Sequence, residues 1–295
     1  MTKVDLTGLG VALITPFKVD GSIDFDALPR LVDYQLENGT DYIVALGTTA
    51  ETPTLSRSEK MDVVSCIVER VDGRVPVVMG MGGNNTASLV DELGTSDFTG
   101  VSAILSVTPY YNKPSQEGLF QHYRMLSNHS PLPIVLYNVP GRTGVNMTAE
   151  TTLRVASHCS NVIAIKEASG NLQQIKAIAE GALEEFNVIS GDDAVTTAVI
   201  ELGGIGVISV FANAFPKEMS WLVRSALGGD WVNARNEMEA NYNELFHLMF
   251  VEGSPAGVKC MLHEKGMIHN CLRLPLVPVS EETHAKIKIA LAKFL

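Results

Sequence analysis

Short apolar runs alternate along the chain with longer segments in which apolar residues recur every three or four positions. The short runs fall at 11–15, 42–46, 75–79, 102–107, 134–137, 162–166, 188–190 and 206–210. They are nearly continuous in apolar residues, the pattern of strands buried on both faces. The intervening segments predict helices, among them 24–38, 56–71, 116–127, 148–158 and 171–184. Ser56 and Glu59 stand at capping-box spacing, and Gly39 follows the first of these helices. Eight strand–helix units in about 210 residues predict a closed α/β barrel, the (β/α)₈ or TIM barrel, over residues 1–216. An open doubly wound sheet would carry a GxGxxG turn after its first strand. Neither the pair Gly8 and Gly10 nor the cluster at 80–83 has that spacing. After 216 the pattern is helical only, at 221–227, 231–250, 255–265 and 281–295. Residues 217–295 are therefore expected to pack on the barrel as a C-terminal helical appendage.

Composition narrows the partners. With 295 residues, 46% of them hydrophobic and 19% charged, the chain has ample material for a core. Its formal net charge of −11 opposes binding to nucleic acid or an anionic membrane surface. An anionic small substrate would need local positive groups. No apolar run reaches the length of a membrane span, and the patch at 11–14 is too short and wrongly flanked for a signal peptide. Cys66, Cys159, Cys260 and Cys271 form no CxxC pair, which predicts reduced thiols in a cytoplasmic protein. The seven histidines lie on expected helices or their ends with no HxxxH spacing, and no GxSxG elbow occurs. Neither a metal site nor a serine nucleophile is expected.

In a barrel of this kind, reactive groups stand at the C-terminal ends of strands and in the loops that follow. Those positions hold Thr48 and Thr49, Tyr110 and Tyr111, Tyr137, Arg142, Lys166 and Gly191. Lys166 is the sharpest of them. It follows Val162-Ile163-Ala164-Ile165 without a polar residue between, which places its amine inside the barrel mouth. Desolvation there disfavours the ammonium form, and attack on a ketone requires the neutral amine. The competing reading is a lysine that snorkels to solvent or pairs with Glu167. Thr48, Tyr111 and Tyr137 offer hydroxyls for proton transfer, although a lone tyrosine is more often a rim or core residue. Tyr110 and Tyr111 are adjacent, so both cannot point inward from an extended segment. Arg142 suits a carboxylate clamp, against the alternative of a surface loop charge. Lys259, in Gly257-Val258-Lys259-Cys260, reads as an ordinary helix residue of the appendage.

Five motifs taken together, GTTAE at 47–51, TPYYNKPSQEGL at 108–119, YNVPGRTG at 137–144, IKEASGN at 165–171 and SGDD at 190–193, resemble the pyruvate-dependent class I aldolases, and among them the dihydrodipicolinate synthase family. The resemblance covers nearly the whole chain. It implies that Lys166 forms an imine with pyruvate and that Thr48, Tyr137 and Tyr111 relay protons, Tyr111 entering from a neighbouring subunit. It further implies that Thr49 and backbone at Gly191 and Ile208 hold the pyruvate carboxylate, and that Arg142 holds L-aspartate 4-semialdehyde. No cofactor or metal is implied. The assembly implied is a homotetramer, a dimer of dimers, serving lysine and diaminopimelate biosynthesis. The arginine loop separates this family from aldolases and lyases of sialic acid or 2-keto-3-deoxy acids, which are the nearest rival reading. A barrel that binds a keto acid without catalysis is the rival from another class. Ala50 departs from the family, which has glycine there. The inhibitory lysine pocket of sensitive members keeps Asn84 and Tyr110 here. Arg57, Lys60 and Ser88 stand at its histidine and glutamate positions, which implies weak or absent inhibition by lysine.

Overall fold

The computed structural model describes residues 4–294; residues 1–3, and Leu295 at the end of the expected final helix, lie outside the described residues. Eight parallel strands close into a barrel in sequence order. They are β1 Gly8–Ala12, β2 Tyr42–Ala45, β3 Val77–Gly80, β4 Ala103–Val107, β5 Ile134–Asn138, β6 Val162–Glu167, β7 Asn187–Ser190 and β8 Gly206–Ser209. Each is followed by at least one helix, the main ones being Ala27–Glu37, Arg57–Val71, Thr86–Thr95, Gln116–His129, Ala149–His158, Leu172–Gly181, Thr196–Glu201 and Pro216–Leu227. Among the described residues no helix is long and apolar enough to cross a membrane.

The two-sided burial that made the strands legible is literal. On β2, Tyr42 and Val44 join the lumen cluster, whereas Ile43 and Ala45 pack outward against the helices. The same alternation puts Val135 and Tyr137 of β5 in the lumen and Leu136 outside. The Tyr42 ring fills the barrel beside β1 so closely that a Cβ on Gly10 would lie 2.2 Å from it. This corrects the first strand, expected at 11–15 and found at Gly8–Ala12. Glycines weaken the strand signal, yet Gly10 is what lets the ring fit. Leu13, Ile14 and Thr15 are apolar or buried because the loop above β1 is covered, not because they extend it. The Leu13 amide donates to the Val44 carbonyl at 3.1 Å and the Ile14 amide to Asn213 Oδ1 at 3.0 Å.

One irregularity decides where the chemistry can lie. β5 and β6 pair Ile134 with Val162 and then Val135 with Ala164, so β6 carries one extra residue at this point. A strand shows alternate residues to alternate faces, and one extra residue inverts the assignment of everything after it. Val162 packs outward, but Ala164, two residues on, joins the lumen cluster, and Ile165 faces the helices. The bulge therefore turns Lys166 inward.

The C-terminal region departs from its expected outline. The helix foreseen at 231–250 is a run of α-helix Trp231–Glu237, a wide π turn Met238–Tyr242 and α-helix Asn243–Phe250. It is followed by Ala256–Glu264 and Glu281–Leu291. A π turn adds a residue to the helical repeat and rotates the face that follows. The rotated face, Asn243, Phe246, His247 and Phe250, lies along the mouth of the barrel.

Candidate active site

A cavity of about 780 Å³ opens at the C-terminal ends of the strands. Six of the residues singled out from sequence line it: Thr48, Thr49, Tyr137, Arg142, Lys166 and Gly191. Tyr137 and Lys166 face each other across β5 and β6 in direct register, and Lys166 Nζ lies 4.4 Å from the centre of the Tyr137 ring. Lys166 is 4% exposed. Among the described residues, no carboxylate pairs with it and no protein acceptor bonds its nitrogen. Glu167, the partner it might have had, faces the other side of β6. Its carboxylate accepts from Asn138 Nδ2 at 3.0 Å, Gln174 Nε2 at 2.9 Å and the Ser169 amide at 2.7 Å. The side chains of Thr48, Thr49, Tyr137 and Arg142 likewise make no hydrogen bond or ion pair within the chain among the described residues. A ring of unengaged donors around a lysine suits recognition of a small keto acid. The amine supplies a nucleophile, and the hydroxyls and guanidinium supply donors for oxygen.

Loop geometry explains the convergence. Thr48 and Thr49 begin a 3₁₀ turn, Thr48–Ala50, that ends at Glu51 in the left-handed region, φ 55°. Ala50 is buried with its carbonyl accepting from Thr15 Oγ1 at 2.8 Å, and its φ is not left-handed, so its methyl costs no backbone strain. A Cβ on Gly191 would sit 2.7 Å from the Ala168 Cβ and 3.1 Å from the Lys166 Cγ, so glycine keeps the lysine's path open. Asp193, two residues on, accepts from Ser209 Oγ at 2.5 Å and from the Val210 and Phe211 amides at 3.1 Å. It joins the loops after β7 and β8. Burial pushes its carboxyl up, to about 6, against the pull of those hydrogen bonds.

Two sequence candidates do not reach the cavity with their side chains. Ile208 lies in the lumen cluster of β8, and its side chain does not line the opening. Tyr111 is 88% exposed and held at φ 75°, whereas Tyr110 lines an adjoining cavity of about 320 Å³ together with Thr48, Tyr137 and Arg142. Of the two cations Arg57 and Lys60, Lys60 lines that second cavity, whereas the Arg57 guanidinium donates to Thr95 Oγ1 at 2.9 Å. The Asn84 amide donates to the Tyr110 carbonyl at 3.2 Å.

The model of the dihydrodipicolinate synthetase family matches residues 5–294. The chain belongs to that family. It is 59% identical over 288 residues to the 4-hydroxy-tetrahydrodipicolinate synthase of Parabacteroides distasonis, covering 98% of this chain and 97% of the relative. Among solved structures, it resembles the dihydrodipicolinate synthase of Thermotoga maritima with a TM-score of 0.94 at 43% identity, covering 97% and 98% of the two chains. The chloride-inhibited synthase of Acinetobacter baumannii, solved with pyruvate, gives a TM-score of 0.94 at 39% identity, with 98% of both chains covered.

Within this family member, sequence reasoning missed the helix face of Asn243, Phe246, His247 and Phe250. Its spacing is that of one side of a helix, which reads equally as core. The π turn that aims it leaves no sequence signal. Lys259, taken for an ordinary helix residue, is fully buried and paired with Glu51. Among the described residues no group of three or more His, Cys, Asp or Glu is placed to hold a metal ion.

Proposed function

We propose that the chain condenses pyruvate with L-aspartate 4-semialdehyde to 4-hydroxy-tetrahydrodipicolinate, in lysine and diaminopimelate biosynthesis. The observation that carries this reading is the Lys166 amine, turned into the lumen against Tyr137, with Arg142 on the same cavity wall. The Lys166 nitrogen attacks the pyruvate carbonyl carbon. Loss of water gives an imine, which draws electrons from the methyl group and makes it acidic. Proton loss forms the enamine, and its carbon bonds to the aldehyde carbon. The semialdehyde's own amine then attacks the imine carbon, closes the ring and displaces Lys166. The imine is the electron sink, so this chemistry requires no cofactor.

In this scheme Tyr137 and Thr48 carry protons between the bound substrate and solvent, and Thr49 with backbone at Gly191 and Ile208 holds the pyruvate carboxylate. Arg142 takes the carboxylate of the semialdehyde, and that preference selects against sugar acids. Tyr111, held away from its own cavity, completes the relay of a neighbouring subunit in a homotetramer built as a dimer of dimers. Sedimentation velocity tests the assembly. The four free cysteines agree with a cytoplasmic location. Lys60 beside Tyr110 opposes a ligand with two ammonium groups, so L-lysine inhibits weakly or not at all, which a steady-state titration into the millimolar range tests. Borohydride reduction with pyruvate, followed by peptide mass spectrometry, tests the whole scheme. A pyruvyl-derived mass on the Lys166 peptide is expected, and label on another lysine, or none, overturns it.

A further inference from the structure

Glu51 and Lys259 form an ion pair in which neither side chain has any exposed surface. The two residues are 208 positions apart, one in the loop after β2 and the other on the helix Ala256–Glu264 of the C-terminal region. Every strong group of the pair is engaged. Lys259 Nζ also donates to the Cys271 carbonyl at 3.0 Å and lies 4.1 Å from the centre of the Phe17 ring. The second oxygen of Glu51 accepts the Arg273 amide at 2.9 Å. The Arg273 guanidinium in turn donates to the Gly21 carbonyl at 2.9 Å, the Thr54 carbonyl at 3.0 Å and the Glu59 carboxylate at 2.6 Å, and lies over the same Phe17 ring. Glu59 caps the helix Arg57–Val71 by accepting the Ser56 amide.

The four charges thus clamp a single stretch of chain, from Glu51 to Glu59, to the C-terminal region. That stretch begins where the Thr48–Ala50 turn ends. The Glu51 amide donates to the Thr48 carbonyl at 3.2 Å, and Thr52 Oγ1 donates to the Gly47 carbonyl at 2.9 Å. Glu51 itself is held in the left-handed region, where a residue with a side chain stays only if its surroundings fix it. A buried carboxylate is also an expensive anchor unless a cation meets it, so its position is set by Lys259.

We propose that the Glu51–Lys259 pair, braced by Arg273, is the positioning device for Thr48 and Thr49, so that the C-terminal helices set the geometry with which pyruvate is received at Lys166. The inference rests on the function proposed above and adds to it residues that touch no substrate.

The test compares wild type, Glu51→Gln, which keeps the shape and loses the charge, and Leu222→Ala, which opens a cavity at a buried position of the helix Pro216–Leu227, outside the clamp. Glu51→Gln should raise the pyruvate KM, and the pyruvate concentration needed for borohydride trapping, by about tenfold, while the semialdehyde KM at saturating pyruvate stays unchanged. Leu222→Ala should lower the melting temperature without moving the pyruvate KM. Independently of any variant, pyruvate should slow amide exchange in wild-type peptides covering residues 257–262 and 271–275, and this decides the matter if Glu51→Gln does not fold. If Glu51→Gln keeps the wild-type pyruvate KM, or if those peptides exchange equally with and without pyruvate, the clamp is only structural and the inference fails. If wild type takes no label on Lys166, the proposed function fails and the inference with it; label on Lys166 with unchanged pyruvate dependence in the variant removes the inference alone.

Discussion

Lys166 and Lys259 are the two buried lysines among the described residues, and they sit in opposite company. At the top of β6, the Lys166 nitrogen touches an aromatic ring and is otherwise open to the cavity. On the helix Ala256–Glu264, the Lys259 nitrogen is saturated by a carboxylate, a carbonyl and a ring face. The difference separates the proposed nucleophile from a structural cation. A nucleophile must keep its nitrogen unengaged until substrate arrives, and this leaves a polar group whose burial nothing repays. A structural cation must be fully met, because either partner left alone in the interior is costly.

The largest effect that tests this contrast is on turnover. Lys166→Met should lower kcat/KM by at least about 10⁴-fold while leaving the melting temperature unchanged or higher, since it removes a buried polar group without orphaning a partner. A large fall in melting temperature would mean that Lys166 also has a structural role. The same substitution at Lys259 should do the reverse to the fold. Leaving Glu51 buried and unpaired should cost about 3–5 kcal/mol, seen as a fall of roughly 10 °C in a thermal melt followed by circular dichroism. A Lys259→Met protein as stable as wild type would erase the contrast.

Arg142→Ala sharpens it from the substrate side. Like Lys166, the Arg142 guanidinium has no protein partner among the described residues, so its loss should spare stability. It should lower kcat/KM for the semialdehyde by about 100-fold, as loss of a charge-assisted contact of about 3 kcal/mol would, with pyruvate trapping intact. The smallest effect is on pH dependence. Burial pushes Lys259 down, to about 8, against the upward pull of Glu51. The unfolded chain then holds this proton more tightly than the folded one, so folding stability attributable to Lys259 rises as pH climbs from about 8 towards the ordinary lysine value. Urea unfolding between pH 8 and 10 should show that rise in wild type and not in Lys259→Met; equal slopes would mean that the ammonium form is not penalised by burial.

The contrast also marks what the sequence discloses. Eight strands were legible because two-sided burial writes continuous apolar runs, and the cavity residues were legible because they follow those runs directly. Lys166 stood out because four apolar residues lead into it. Lys259 stands in equally apolar company, Val258 before and Cys260 after, but on a helix that company says nothing about where a long side chain ends. Its partner lies 208 residues away, beyond any local pattern. The shift of β1 has the same origin in reverse. Gly8 and Gly10 weaken the strand signal locally, and only the Tyr42 ring from the next strand explains Gly10. The wide turn at Met238–Tyr242 is invisible for another reason, since its residues suit an α-helix equally well.

The bulge in β6 carries a consequence for how this site can vary. A strand has two sides, so the choice of which residue meets the substrate is binary and is stored in a count rather than in an identity. Replacing Ile163 by another apolar residue leaves that count intact. Deleting it removes the bulge and leaves Ala164 opposite Val135 and Lys166 opposite Tyr137, whereas deleting Ile165 would set Lys166 opposite Leu136, which faces the helices, and so send the amine out of the lumen. The catalytic centre therefore tolerates a lost residue at the bulge and not between the bulge and Lys166. From Ala164 onward the chain is read like a phased message, in which one lost symbol garbles all that follows.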